Sequence, residues 1–155
     1  MQHNEQTISV LNDLVRINYD RIRGWENAIE DSDGVDKDIK VISQKKINES
    51  RGYLLALQGF VSSLGGTPAT DSTVAGKFFR VWMDFKATIT GKDSEAIMNS
   101  CVFGENAAVK EYEDAIKTDA HLPDNIRKAI SEQKANIEES LQSVKAYTKA
   151  IDHAS

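Results

Sequence analysis

The amino-acid sequence predicts an all-α protein built as a four-helix bundle. Apolar residues recur at spacings of three and four along almost the whole chain, no stretch alternates as a half-buried strand does, and only Pro68 and Pro123 interrupt 155 residues. With 40% hydrophobic and 28% charged residues the chain can bury a core without metal or disulfide support, and a single domain over 1–155 is expected.

The first helix is expected from about Asn4 to Asp31. Leu11, Val15, Asn18, Ile22, Trp25 and Ile29 follow a 4-3-4-3-4 spacing, widened by Val10, Leu14 and Ala28. Gly34 can take a left-handed stop, and Asp36 stands where it would cap the next helix. The second helix, about Lys37 to Leu64, aligns Ile47, Ser50, Leu54, Leu57, Val61 and Leu64, with Ile42, Glu49, Tyr53 and Phe60 beside them, and stops at Gly65-Gly66. After Pro68 a shorter helix is expected between about Asp71 and Thr90, with Val74, Phe78, Val81, Phe85 and Ile89 on one face and Phe79 and Trp82 alongside. Gly91 breaks it and Asp93 offers a cap. The next helix runs to about Lys117 through Met98, Val102, Glu105, Val109, Tyr112 and Ile116. Pro123 suits the first turn of the last helix, which carries Ile126, Ile130, Gln133, Ile137, Leu141, Val144 and Ile151.

Short links favour antiparallel partners within each half, and the long connection between the halves must cross the bundle. Four long helices with one crossover, here containing an additional short helix, form the ferritin-like arrangement.

Several function classes are excluded or left without support. The 19 basic and 24 acidic residues give a net charge of −5, which supplies no footprint for nucleic acid. Met1 to Thr7 are polar, no apolar run approaches the roughly 18 residues of a membrane span, and the single Cys101 fits a reducing compartment, so a cytoplasmic protein is expected. Cys101 reads as a small core thiol. His3, His121 and His153 fall at helix ends or turns, unsuited to haem ligation, and no zinc spacing, nucleophilic triad or phosphate loop is present. The acidic run from Glu30 to Asp38 lacks EF-hand spacing, since counting from Asp31 puts Asp36 and Ile42 where the glycine and glutamate belong. Trp25, Trp82, Phe78, Phe79 and Phe85 read as core, and the apolar breadth of the crossover helix leaves a homodimer open.

Each long helix interrupts its apolar stripe with a polar residue: Asn18, then Glu49 or Ser50, then Glu105, then Gln133. Antiparallel pairing brings them to similar depth, which predicts a polar layer comprising Asn18, Glu105, Tyr112 and Gln133, with Glu105 buried. Asn18 and Gln133 are expected to satisfy Glu105, and Glu105→Gln to leave stability similar in a purely hydrogen-bonded layer. The Glu-x-x-His motif of di-iron bundles is missing, because Gly52 stands three residues after Glu49. Glu30, Glu49 and Glu105 remain candidate carboxylate ligands for iron or manganese, near Tyr53 or Tyr112, although no cofactor is the leading expectation.

The chain resembles a bacterial family of small ferritin-like four-helix-bundle proteins classed as a domain of unknown function. The resemblance covers most of the chain and rests on Leu11-Asn-Asp-Leu14, Gly24-Trp25 with Ala28 and Glu30, Leu64-Gly-Gly-Thr-Pro68, and Gly76 with Arg80, Trp82, Asp84 and Lys86. It continues through Gly91-Lys-Asp93, Cys101, Gly104-Glu105, Tyr112, Ala115, Leu122-Pro123, Arg127 and Gln133. It implies a ferritin-like fold, a cytoplasmic protein and a link to stress responses, but no established reaction. Glu30, Glu105 and Gln133 fall at the family's acidic or amide positions. The family's histidine before the crossover arginine and its charged residues after the cysteine are replaced here by Phe79, Val102 and Phe103. A non-catalytic structural or interaction protein is therefore the leading expectation, and a metal-dependent oxidoreductase or iron-handling protein the alternative.

Overall fold

A computed structural model describes residues 2–32, 37–70 and 94–154, together with 80, 83 and 84. Four long helices make up nearly all of this: α1 (Gln2–Asp31), α2 (Lys37–Ser63), α3 (Ser94–Ile116) and α4 (Asp124–Ala154). Their bounds lie within a few residues of those expected from periodicity. Of the expected crossover helix only Arg80, Met83 and Asp84 are described, and all three are helical. The rest of that helix, with its aromatic face, lies outside the described residues, as do the caps assigned to Gly34, Asp36, Gly91 and Asp93.

The end of α2 shows how local chemistry stops a helix. Gly66 N–H donates to the Val61 carbonyl at 2.9 Å and Gly65 N–H to Ser62 at 3.0 Å, the paired bonds of a Schellman cap. Gly65 sits at φ +86°, a conformation glycine adopts without steric cost. Gly66 is held for a different reason: a Cβ there would lie 2.8 Å from two carbons of Ile8. The chain beyond is clasped onto α1 by Asn12, whose Nδ2 donates to the Thr67 carbonyl at 3.1 Å and whose Oδ1 accepts from Ala69 N–H at 2.8 Å. At α4 the Pro123 carbonyl accepts from Ile126 and Arg127 at 3.0 and 2.9 Å. Pro123 is thus the residue flanking α4, one place earlier than expected, where its missing N–H is harmless.

Helix α1 packs against α2 and α3, and α3 against α4. The interior divides into two apolar clusters. One is built around Leu11, Leu14, Leu57, Val61, Tyr112 and Ile130. The other holds Trp25, Ile39, Ile47, Met98, Cys101 and Val144, which places Cys101 as a buried core thiol. Polar side chains occupy the space between them.

Candidate functional site

The centre of that polar layer is Arg21. Its position follows from α1 geometry: it lies seven residues after Leu14 and seven before Ala28, so a straight helix carries it onto the buried stripe. The whole residue is 0% exposed, as is Glu105 on α3. The guanidinium meets the carboxylate in a two-pronged pair, Nε to Oε1 at 2.7 Å and Nη2 to Oε2 at 2.9 Å. Its Nη1 donates to Ser50 Oγ on α2 at 2.9 Å. Nη2 also reaches Glu49 Oε1 on α2 and Ser140 Oγ on α4, both at 3.4 Å. One side chain therefore joins its own helix to the other three.

Glu105 is saturated. Beyond the two bonds from Arg21, Trp25 Nε1 donates to Oε1 at 3.2 Å and Ser140 Oγ to Oε2 at 2.6 Å. A carboxylate offers about four acceptor directions, and all are taken by protein donors. Burial would raise its pKa, but the Arg21 charge, followed by hydrogen bonds from Arg21, Ser140 and Trp25, holds the carboxyl below its ordinary value. Arg21 in turn loses hydration by burial, which Glu105 and then Glu49 outweigh, so it stays charged. Lys46, 3.9 Å from Glu49, is different: burial exceeds the help from Glu49 and lowers its pKa.

A second set of bonds lies one turn along α1. Asn18 Nδ2 donates to the Tyr112 hydroxyl at 2.8 Å and to the Leu14 carbonyl at 2.9 Å. The Tyr112 hydroxyl donates to Gln133 Oε1 at 2.6 Å. Burial, opposed in part by the Asn18 bond, pushes the Tyr112 phenol far up, so it remains a neutral donor. Asn18 and Gln133 consequently serve Tyr112 and not Glu105, contrary to the sequence-based expectation. The reason is depth: α1 places Arg21, and not Asn18, level with Glu105.

The three candidate metal ligands do not converge. Glu105 and Glu49 both face Arg21, whereas Glu30 is exposed and lines an outer α1–α2 groove with Glu26, Gln44 and Arg51. Tyr53 is half-buried near Glu49 and Arg21. Among the described residues no group of three or more His, Cys, Asp and Glu is placed to hold a metal ion. A dinuclear carboxylate centre does not fit this donor set, because a guanidinium stands between the inward carboxylates and fills the lone pairs of Glu105. Arg21 and Ser140 are the residues that sequence reasoning missed. Both lie on buried stripes, Ser140 seven residues after Gln133 and four before Val144, but a charged or hydroxyl residue in a solvated chain is ordinarily assigned to the outer face.

The profile of a family described as "Domain of unknown function (DUF2383)" matches residues 6–118. Among solved structures the chain is similar to a point mutant of Dps1 from Mycobacterium smegmatis, with TM-score 0.78, 14% identity, and 95% of this chain and 97% of that one covered. It is also similar to the dodecameric thioferritin, a bacterioferritin-related protein, of Bacteroides fragilis, with TM-score 0.76, 17% identity and coverage of 97% and 89%. A ferritin-like, diiron-carboxylate protein of Bacillus anthracis str. Ames aligns with TM-score 0.60, 16% identity and coverage of 99% and 98%. No curated protein matches the chain in sequence. At these identities the likeness establishes the fold, a ferritin-like four-helix bundle.

Proposed function

The chain belongs to the family described as "Domain of unknown function (DUF2383)", and from that premise we propose that it is a non-catalytic structural or interaction protein of the cytoplasm. The observation carrying this reading is the saturation of Glu105 by Arg21, Trp25 and Ser140. An inward carboxylate that accepts four protein hydrogen bonds is a structural group: it neutralises a buried arginine and sets the register of four helices. The polar centre of the bundle is thus spent on holding the helices together, and its outer faces remain for partners.

The competing reading is a protein handling iron or manganese, since one structural neighbour is described as a diiron-carboxylate protein. It would need Glu30, Glu49 and Glu105 around one point, and their placement around and away from Arg21 favours the structural reading. The test is elemental analysis of protein purified without chelator and after exposure to iron, manganese and zinc. We expect metal far below one ion per chain. A stoichiometric metal that disappears in Glu105→Ala would overturn the proposal and justify oxygen and peroxide assays.

A further inference from the structure

Lys46 on α2 stands apart from the other polar groups at the centre of the bundle. Arg21, Glu49, Ser50, Glu105 and Ser140 are joined by hydrogen bonds. Lys46 Nζ has no hydrogen-bond partner among the described residues, and the carboxylate oxygen beside it, Glu49 Oε2, lies 3.9 Å away, beyond bonding distance. The side chain is nonetheless only 8% exposed. A lysine stem is long enough to carry its ammonium out to water, and lysine is seldom buried unless paired. The scaffold does not call for a further charge here, since Glu105 is already neutralised and saturated by Arg21, Trp25 and Ser140.

The surroundings favour an amine that reacts. Burial outweighs Glu49 on the same helix and Glu105 on α3, while Arg21 on α1 and exposed Lys45 act with it. The amine's pKa therefore falls below its ordinary 10.5, which raises the share of neutral nucleophile. Glu49, with 27% of its side chain exposed, marks where the polar seam meets water and stands within one water's reach of the amine as proton acceptor and donor. Charge balance selects the electrophile. Two cations, Arg21 and Lys46, face two carboxylates, Glu49 and Glu105. Acylation of Lys46 would remove one positive charge and carbamylation would replace it with a negative one, each leaving a carboxylate uncompensated in a buried seam. Of the three products only a protonated imine keeps the balance.

We propose that Lys46 is a carbonyl-binding residue, whose amine condenses with a small neutral aldehyde to a protonated imine paired with Glu49. Glu49 takes a proton from the ammonium. The freed lone pair attacks the carbonyl carbon, the C=O π pair moves to oxygen, and a proton shifts from nitrogen to that oxygen to give the carbinolamine. Glu49 returns its proton to the hydroxyl, which leaves as water as the C=N bond forms. Ammonium and aldehyde thus become iminium and water with no net proton and no oxidant or reductant, and water reverses the step. The cover over Lys46 restricts the partner to small aldehydes. This inference goes beyond the structural role and does not rest on it: an inert Lys46 in a metal-free bundle would refute it while leaving that role intact.

Propionaldehyde with cyanoborohydride, which reduces the imine to a secondary amine, tests it on the folded full chain at neutral pH. With aldehyde limiting, peptide mapping by mass spectrometry should find Lys46 alkylated at least about tenfold faster than its exposed neighbour Lys45, a lower bound on what a positioned acid–base group contributes. That comparison needs no variant. Glu49→Gln should slow labelling of Lys46 at least about tenfold and leave Lys45 unchanged. Losing the carboxylate's charge would by itself lower the amine's pKa and speed simple alkylation, so slowing is diagnostic of proton transfer. Lys46→Arg should abolish the fast labelling with circular dichroism unchanged. Lys46 labelled no faster than Lys45 would overturn the proposal, as would labelling that rises in step with unfolding in urea, or labelling equal or faster in Glu49→Gln. Acetyl phosphate modifying Lys46 in preference to the aldehyde would also overturn it, by making the residue an acylation site.

Discussion

Arg21 and Glu105 are each tolerable at the centre of the bundle only because the other is there. Removing one partner of a buried pair typically costs about 3–5 kcal/mol, chiefly through the unpaired charge left behind. Arg21→Met should therefore be strongly destabilising in urea denaturation. Glu105→Gln, which the sequence alone suggests would be mild, should also destabilise, because a neutral amide strands the guanidinium. The double replacement Arg21→Met with Glu105→Leu should be less destabilised than either single variant, since both charges leave together. The pH dependence has a definite sign. Glu105 titrates below its ordinary 4.5 in the folded chain, so its contribution is fully present above that value and is lost as pH falls through the depressed folded value. Urea midpoints measured from neutrality into acid should fall below about 4.5, and Glu105→Gln should flatten that acid limb.

At the level of elements, glycine has opposite consequences at the C-terminal end of α2 and in its middle. Gly65 at φ +86° closes the helix, so Gly65→Ala should cost about 1 kcal/mol through backbone strain. Gly52→Ala should instead stabilise the fold by about 0.5–1 kcal/mol, because the site is helical, open and free of positive φ. Thermal melts of the two variants separate the two signs. The cap also explains part of the family resemblance physically. Asn12 of the Leu11–Leu14 segment clasps Thr67 and Ala69, which flank Pro68 in the Leu64–Pro68 segment, so two distant sequence signatures are one contact. Arg127 plays a similar part at the other turn, its Nη1 donating to the Ile116 carbonyl at the end of α3 at 3.2 Å.

For the molecule as a whole, two apolar clusters share a polar seam that touches all four helices. Hydrophobic burial holds each end of the bundle together, while the hydrogen-bonded seam admits only one vertical register of the helices. A net charge of −5 leaves no general attraction for polyanions. A gel-retardation assay with duplex DNA at about 0.15 M salt should show no complex, an ionic strength at which exposed charges act over only about 8 Å. No helix among the described residues is long and apolar enough to cross a membrane.

Helix existence, helix ends and the burial of Glu105 were legible in the sequence because they depend on periodicity and on residues a few positions apart. The spacing of Leu11, Val15 and Trp25 suffices to define the buried face of α1, and Gly65-Gly66 suffices to end α2. The partners of Glu105 were not legible. Arg21 is 84 residues away, and whether it or Asn18 stands level with that carboxylate depends on how α1 and α3 are offset along their axes. That offset is settled by packing across the whole bundle, where burying a charge is favourable only once its counter-charge is already in reach, and no local pattern in the chain records it.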